Sequence, residues 1–136
     1  MALLAACGSG GAAAPSTTAA PDPRCPFGGP VLPAAQLPAA FPRDFPFPPQ
    51  TALVAQSTAQ GVITVTARAE GEFRDHLRFY NDTLPKAGFA VTGGEVEREE
   101  GEVEFARAGA SGQVKVAVVN CPAGVAGLVV SYAPGR

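Results

Sequence analysis

Three cysteines, one histidine and one dense run of carboxylates are the side chains from which chemistry could be built in this chain of 136 residues. His76 is the only histidine. Its neighbour Asp75 cannot orient the ring, because residues i and i+1 of a helix do not share a face, so no Ser-His-Asp-like relay is encoded there. The apolar spacing around it predicts a half-exposed helix histidine flanking the buried side. Glu95, Glu97, Glu99, Glu100, Glu102 and Glu104 put six carboxylates into ten residues. On strands turning at Gly101, Glu97, Glu99, Glu102 and Glu104 would share one face and repel. A bound Ca2+ would relieve that repulsion, since hard cations take several carboxylate oxygens. The Asp-x-Asp-x-Asp-Gly pattern of a calcium loop is absent, however, and a solvated hairpin whose charges protect a sheet edge is expected. The glycines lack the Lys-Ser/Thr or helix start that cradles phosphate. The expectation is a non-enzymatic protein with no catalytic residue, metal or cofactor.

The cysteines sort differently. Cys7 stands in Leu4-Ala5-Ala6-Cys7-Gly8, which resembles the bacterial lipobox, where Leu, two small residues and Cys direct a diacylglycerol onto the sulfur before cleavage. By that resemblance Cys7 is lipidated and becomes the mature N-terminus. Each buried methylene of the acyl chain contributes about 0.8 kcal/mol to membrane binding. Only six residues precede Cys7, fewer than the basic region plus about 7–15 apolar residues of a signal peptide. Residues 1–6 are therefore expected to be the end of a signal peptide whose translation starts upstream. The Gly, Ser, Ala and Thr that follow Cys7 are similar to the flexible tethers of lipoproteins. Setting Cys7 aside leaves Cys25 and Cys121. In an oxidising envelope an even pair is most simply a disulfide. The alternatives are two free buried thiols, or a metal pair disfavoured by a separation of 96 positions. The bridge would close 97 residues, for which loop entropy gives roughly 4–5 kcal/mol as an upper figure.

A net charge of −2 with two lysines argues against a nucleic-acid surface. No run of 18 apolar residues encodes a transmembrane helix. Eleven of the 14 prolines fall between positions 15 and 49, which divides the chain. Residues 7–24 read as a lipid-anchored flexible tether. Residues 25–49 read as a Pro-rich extended arm whose Phe27, Val31, Leu32, Leu37, Phe41, Phe45 and Phe47 pack onto the domain, since proline bars it from a central strand. Residues 50–136 read as one domain.

Within that domain residues 51–57 and 61–69 alternate with period two and predict a hairpin turning at Ala59-Gln60-Gly61. Phe73, Leu77, Tyr80, Leu84 and Ala87 form one apolar stripe, which predicts a helix over residues 72–87 with a distorted last turn at Pro85 and Gly88 just past its end. Residues 89–97, 102–107, 113–119 and 124–132 predict a meander with turns at glycines 93–94, 101, 109–112 and 124. Val103 and Phe105, then Val114, Val116 and Val118, then Leu128, Val130 and Tyr132 are the candidate core. The order β-β-α-β-β-β-β implies an α+β fold, a twisted antiparallel sheet with one amphipathic helix on its apolar face.

Leu37-Pro38, Phe41-Pro42-Arg43-Asp44-Phe45-Pro46 and Pro48-Pro49 at the domain entry, with Phe79-Tyr80 and Leu84-Pro85-Lys86-Ala87-Gly88-Phe89 at the helix end, resemble a loose group of uncharacterised actinobacterial-type lipoprotein domains. The resemblance covers roughly residues 37–133. It implies this fold and an extracytoplasmic place on the outer face of the bacterial cytoplasmic membrane, and it carries no catalytic residues. The function expected is a lipid-anchored binding or accessory protein of the cell envelope, with the membrane reached through Cys7 and an envelope protein as its partner. The alternative is a carrier of a small apolar ligand held between helix and sheet.

Overall fold

A computed structural model describes residues 36–119 and 124–135. The lipidation expected at Cys7, the Cys25–Cys121 pair and the tether lie outside the described residues. The chain folds as β1 (Thr51–Ala59), β2 (Val62–Glu70), α1 (Phe73–Lys86), β3 (Ala90–Val96), β4 (Glu100–Arg107), β5 (Ala110–Val118) and β6 (Val125–Ala133). The six strands form one antiparallel sheet in the order β1-β2-β6-β5-β4-β3. From β2 the helix carries the chain across one face to the far edge, and the meander then folds back until β6 closes against β2. The α+β class holds, with one helix against an antiparallel sheet.

Period-two alternation explains the buried face. Val65, Val130, Val114 and Val103 are register partners across four adjacent strands, and all are buried. Ala67, Leu128 and Val116 make the next inward row. Phe73, Leu77, Tyr80 and Leu84 of α1 close over them, as the 3.6-residue stripe requires. The helix ends in a Schellman motif: Phe89 N–H donates to the Leu84 carbonyl at 2.9 Å and Gly88 N–H to that of Pro85 at 3.1 Å. Gly88 supplies the left-handed φ of +87° this cap needs.

Three expectations are corrected. The arm is not extended where it is described. Phe41 N–H donates to the Pro38 carbonyl and Phe45 N–H to that of Pro42, so two successive turns fold it back and bury both rings. Most of the glycines assigned to turns lie inside strands: Gly93 and Gly94 in β3, Gly101 in β4 and Gly112 in β5. The β3–β4 turn is Glu97–Glu100, where Glu97 N–H donates to the Glu100 carbonyl at 2.7 Å. The β4–β5 turn is Ala108-Gly109, both at positive φ as two-residue hairpins demand. Val118 keeps the inward alternation but lies past the cover of the helix and is 53% exposed.

Candidate functional site

His76 is buried, at 6% exposure, which corrects the half-exposed reading. Residues 76 and 80, one turn apart, are both buried on α1. Gly71 makes the slot. At φ +113° it joins β2 to α1, and a Cβ built there would stand 3.3 Å from His76 Nε2. Its N–H donates to the Gly124 carbonyl at 2.8 Å, pinning the β2–α1 junction to the start of β6. Nε2 itself has no hydrogen-bond partner among the described residues. Burial pushes the imidazole pKa down, against smaller opposing effects of the Glu70 backbone and the Asp75 charge. This is a ring kept neutral, not a poised base.

Beside this junction an open groove of about 490 Å3 is lined by Gly71, Phe73, Val118, Val119, Val125 and Ala126 among others. The first turn of α1 borders it, with Glu72 as N-cap and no side-chain cap bond. The space between helix and sheet is filled differently. Phe73, Leu77 and Tyr80 pack in one cluster with Val103, Val116 and Val130, so an apolar ligand there would have to displace them.

The other face of the sheet has no helix over it. Register places Glu104, Gln113, Ser131, Thr64 and Ser57 in one row across five strands. A shallow hollow of about 520 Å3 sits over part of that row, lined by Glu104, Gln113, Ser131, Ser111 and Thr92 among others. The acidic run borders it. Glu95 lies directly opposite Glu102, while Glu100 reaches Lys115 at 3.1 Å. Because the β3–β4 turn lies at Glu97–Glu100 and not at Gly101, Glu104 pairs with Gly93 and not with Glu97. Four carboxylates on one face, as expected for a turn at Gly101, are therefore not assembled. Among the described residues no three His, Cys, Asp or Glu side chains are grouped to hold a metal ion, and no helix is long and apolar enough to cross a membrane.

The polar outer row was invisible in the sequence, because it exists only once strand register is known. The one signal was Thr64 and Thr66 at alternate positions of β2. A comparison with family models, curated proteins and solved structures finds no match to this chain.

Proposed function

We propose that the chain is a lipid-anchored protein of the bacterial cell envelope, whose α+β domain is a non-enzymatic binding or accessory module meeting an envelope partner through the uncovered face of its sheet. The observation that carries the reading is the asymmetry of the sheet. One face is closed by α1 and the arm, and the other presents the row Glu104, Gln113, Ser131 and Thr64 to solvent. Antiparallel sheets commonly leave one face in water, but a row of hydrogen-bonding side chains over a hollow gives a partner something to read. Acylation of Cys7 tethers the domain to the outer face of the cytoplasmic membrane. A Cys25–Cys121 disulfide then cross-links the arm to the domain in that oxidising setting.

The reading is tested in cells carrying the gene with its upstream start. A fatty-acid probe should label the wild type and not Cys7→Ala, and intact mass under non-reducing and reducing conditions should differ by two hydrogens (about 2 Da). A photo-crosslinking residue at Gln113 should give a discrete adduct that the same residue at Asp82, on the solvent side of α1, does not. An unlabelled protein removes the anchor, and equal adducts from both positions remove the outer face as the binding surface.

A further inference from the structure

The β2–α1 junction combines three features that a purely structural helix start does not need. A buried imidazole has an unpartnered nitrogen, its slot is floored by a glycine at positive φ, and one backbone hydrogen bond holds the connection closed. A charged imidazole needs acceptors on both ring nitrogens, because a buried unpaired ionic donor is strongly unfavourable. Nε2 has no hydrogen-bond partner among the described residues, and the favourable effect of the Glu70 backbone on the charged ring is smaller than the cost of its burial.

We propose that His76 is an acid-operated latch, in which proton uptake at Nε2 drives the ring out of its slot over Gly71, frees the first turn of α1 and widens the apolar groove beside it. Among the described residues the surroundings fit that role. On the approach to α1 and its first two turns the charged groups are Glu70, Glu72, Arg74, placed over the Phe73 ring at 5.2 Å, and Asp75, which is paired with Arg78 at 2.8 Å. The sheet contributes Ala67, Ala69, Val116, Val118, Ala126 and Leu128 on its inward face at this end, none of them titratable. From β3 and β4 the inward positions at this end are Val96, Gly101 and Val103, none of them titratable. Arm residues 45–50 carry no ionisable side chain. Burial outweighs Asp75 in setting the balance, so the closed junction holds the neutral ring.

The direction follows from linkage. An opened junction returns His76 to about its ordinary pKa of 6.5, so between that value and the lower closed-state pKa the open form binds more protons. Closure is complete above about pH 6.5 and weakens as pH falls, with the open population rising up to about tenfold per pH unit until the closed-state pKa is passed. Hydrogen exchange of the full chain at about pH 7.5 and about pH 5, corrected for intrinsic rates, reads this. Amides of Gly71 and of residues 73–77 should lose protection at the lower pH relative to those of β2 and β6. His76→Phe, which keeps an apolar ring and cannot take the proton, should abolish the difference. The ring pKa by NMR on the wild type should fall below 6.5 and serves also if the variant does not fold. A ring titrating at or above 6.5, uniform exchange at both pH values, or an undiminished acid response in His76→Phe would overturn the latch.

Discussion

Arg107 holds Asp44 through two hydrogen bonds, Nη1 to Oδ2 at 2.6 Å and Nη2 to Oδ1 at 3.0 Å. Its Nη1 also donates to the Ala87 carbonyl at 3.0 Å, and the guanidinium lies 3.9 Å from the Phe89 ring centroid. One side chain at the end of β4 thus joins the second arm turn to the C-terminus of α1, and it does so with the planar fork that lysine lacks. The Arg107 hydrogen bond holds the Asp44 carboxyl below the usual carboxylate range. Asp44 is 58% exposed, so solvent screening keeps its share small. Asp44→Asn should lose about 0.5 kcal/mol near neutral pH. Arg107→Ala should lose more, about 1–2 kcal/mol, because the helix cap and the Phe89 face are stripped as well. The folded pKa of Asp44 is depressed, so its contribution is full above the unfolded value of about 3.9 and fades as pH falls through the folded one. Urea unfolding of wild type and Asp44→Asn should therefore differ at pH 7 and converge as pH falls through the folded pKa of Asp44.

Tyr80 is fully buried, and its hydroxyl has no hydrogen-bond partner among the described residues. Burial drives its pKa well above the ordinary tyrosine value. The ring itself is well placed, 6.0 Å from Phe45 and 5.2 Å from Phe79 between centroids. Removing the oxygen while keeping the ring takes away an unpaid desolvation. Tyr80→Phe should be neutral or stabilising by up to about 1 kcal/mol, whereas Tyr80→Ala should lose about 3–5 kcal/mol. A loss above about 1 kcal/mol for the phenylalanine variant would mean that the hydroxyl is satisfied after all.

These two features mark how far the sequence reached. The class of fold and the helix stripe Phe73, Leu77, Tyr80 and Leu84 were legible, because periodicity reports which face of an element is apolar. So was the helix end at Gly88. What periodicity does not report is the cross-strand partner. The Asp44–Arg107 pair joins positions 63 residues apart, and the outer polar row needs register in five strands at once. His76 was misjudged for a related reason: it flanks the stripe in the sequence, but residues of the β2–α1 connection close over it. The strand glycines were misread as turns because a bulge or a close ring contact selects glycine as strongly as a turn does.

Gly112 shows that selection most sharply. It pairs with Phe105 on one side and Tyr132 on the other, and those two rings stack over it with centroids 6.4 Å apart. A Cβ there would stand 2.6 Å from Phe105 Cζ and would also press on the Ser131 carbonyl oxygen, which is backbone and cannot step aside. Gly112→Ala should lose about 1–3 kcal/mol by overpacking. Gly61, at φ +77° with nothing within 4 Å, is the control. Gly61→Ala meets only the left-handed backbone penalty of about 1–2 kcal/mol. Thermal unfolding separates the two mechanisms when Phe105→Leu is added to each. Extra room should rescue part of the Gly112→Ala loss and none of the Gly61→Ala loss.

The opposed carboxylates of Glu95 and Glu102 make the last prediction electrostatic. They face each other across β3 and β4, and like charges at such positions destabilise a strand pair. The nearest cation, Lys115, is engaged by Glu100 at 3.1 Å. Glu95→Lys would turn the repulsive pair into an attractive one and should stabilise by roughly 0.2–1 kcal/mol. Salt separates this cause from any change in strand propensity. Raising ionic strength to about 1 M shortens the screening length to roughly 3 Å. The wild type should then gain stability while Glu95→Lys loses it, and Glu95→Gln should respond little. If all three respond alike, the pair is not what strains this edge, and the acidic run acts only by keeping β3 from pairing with another strand.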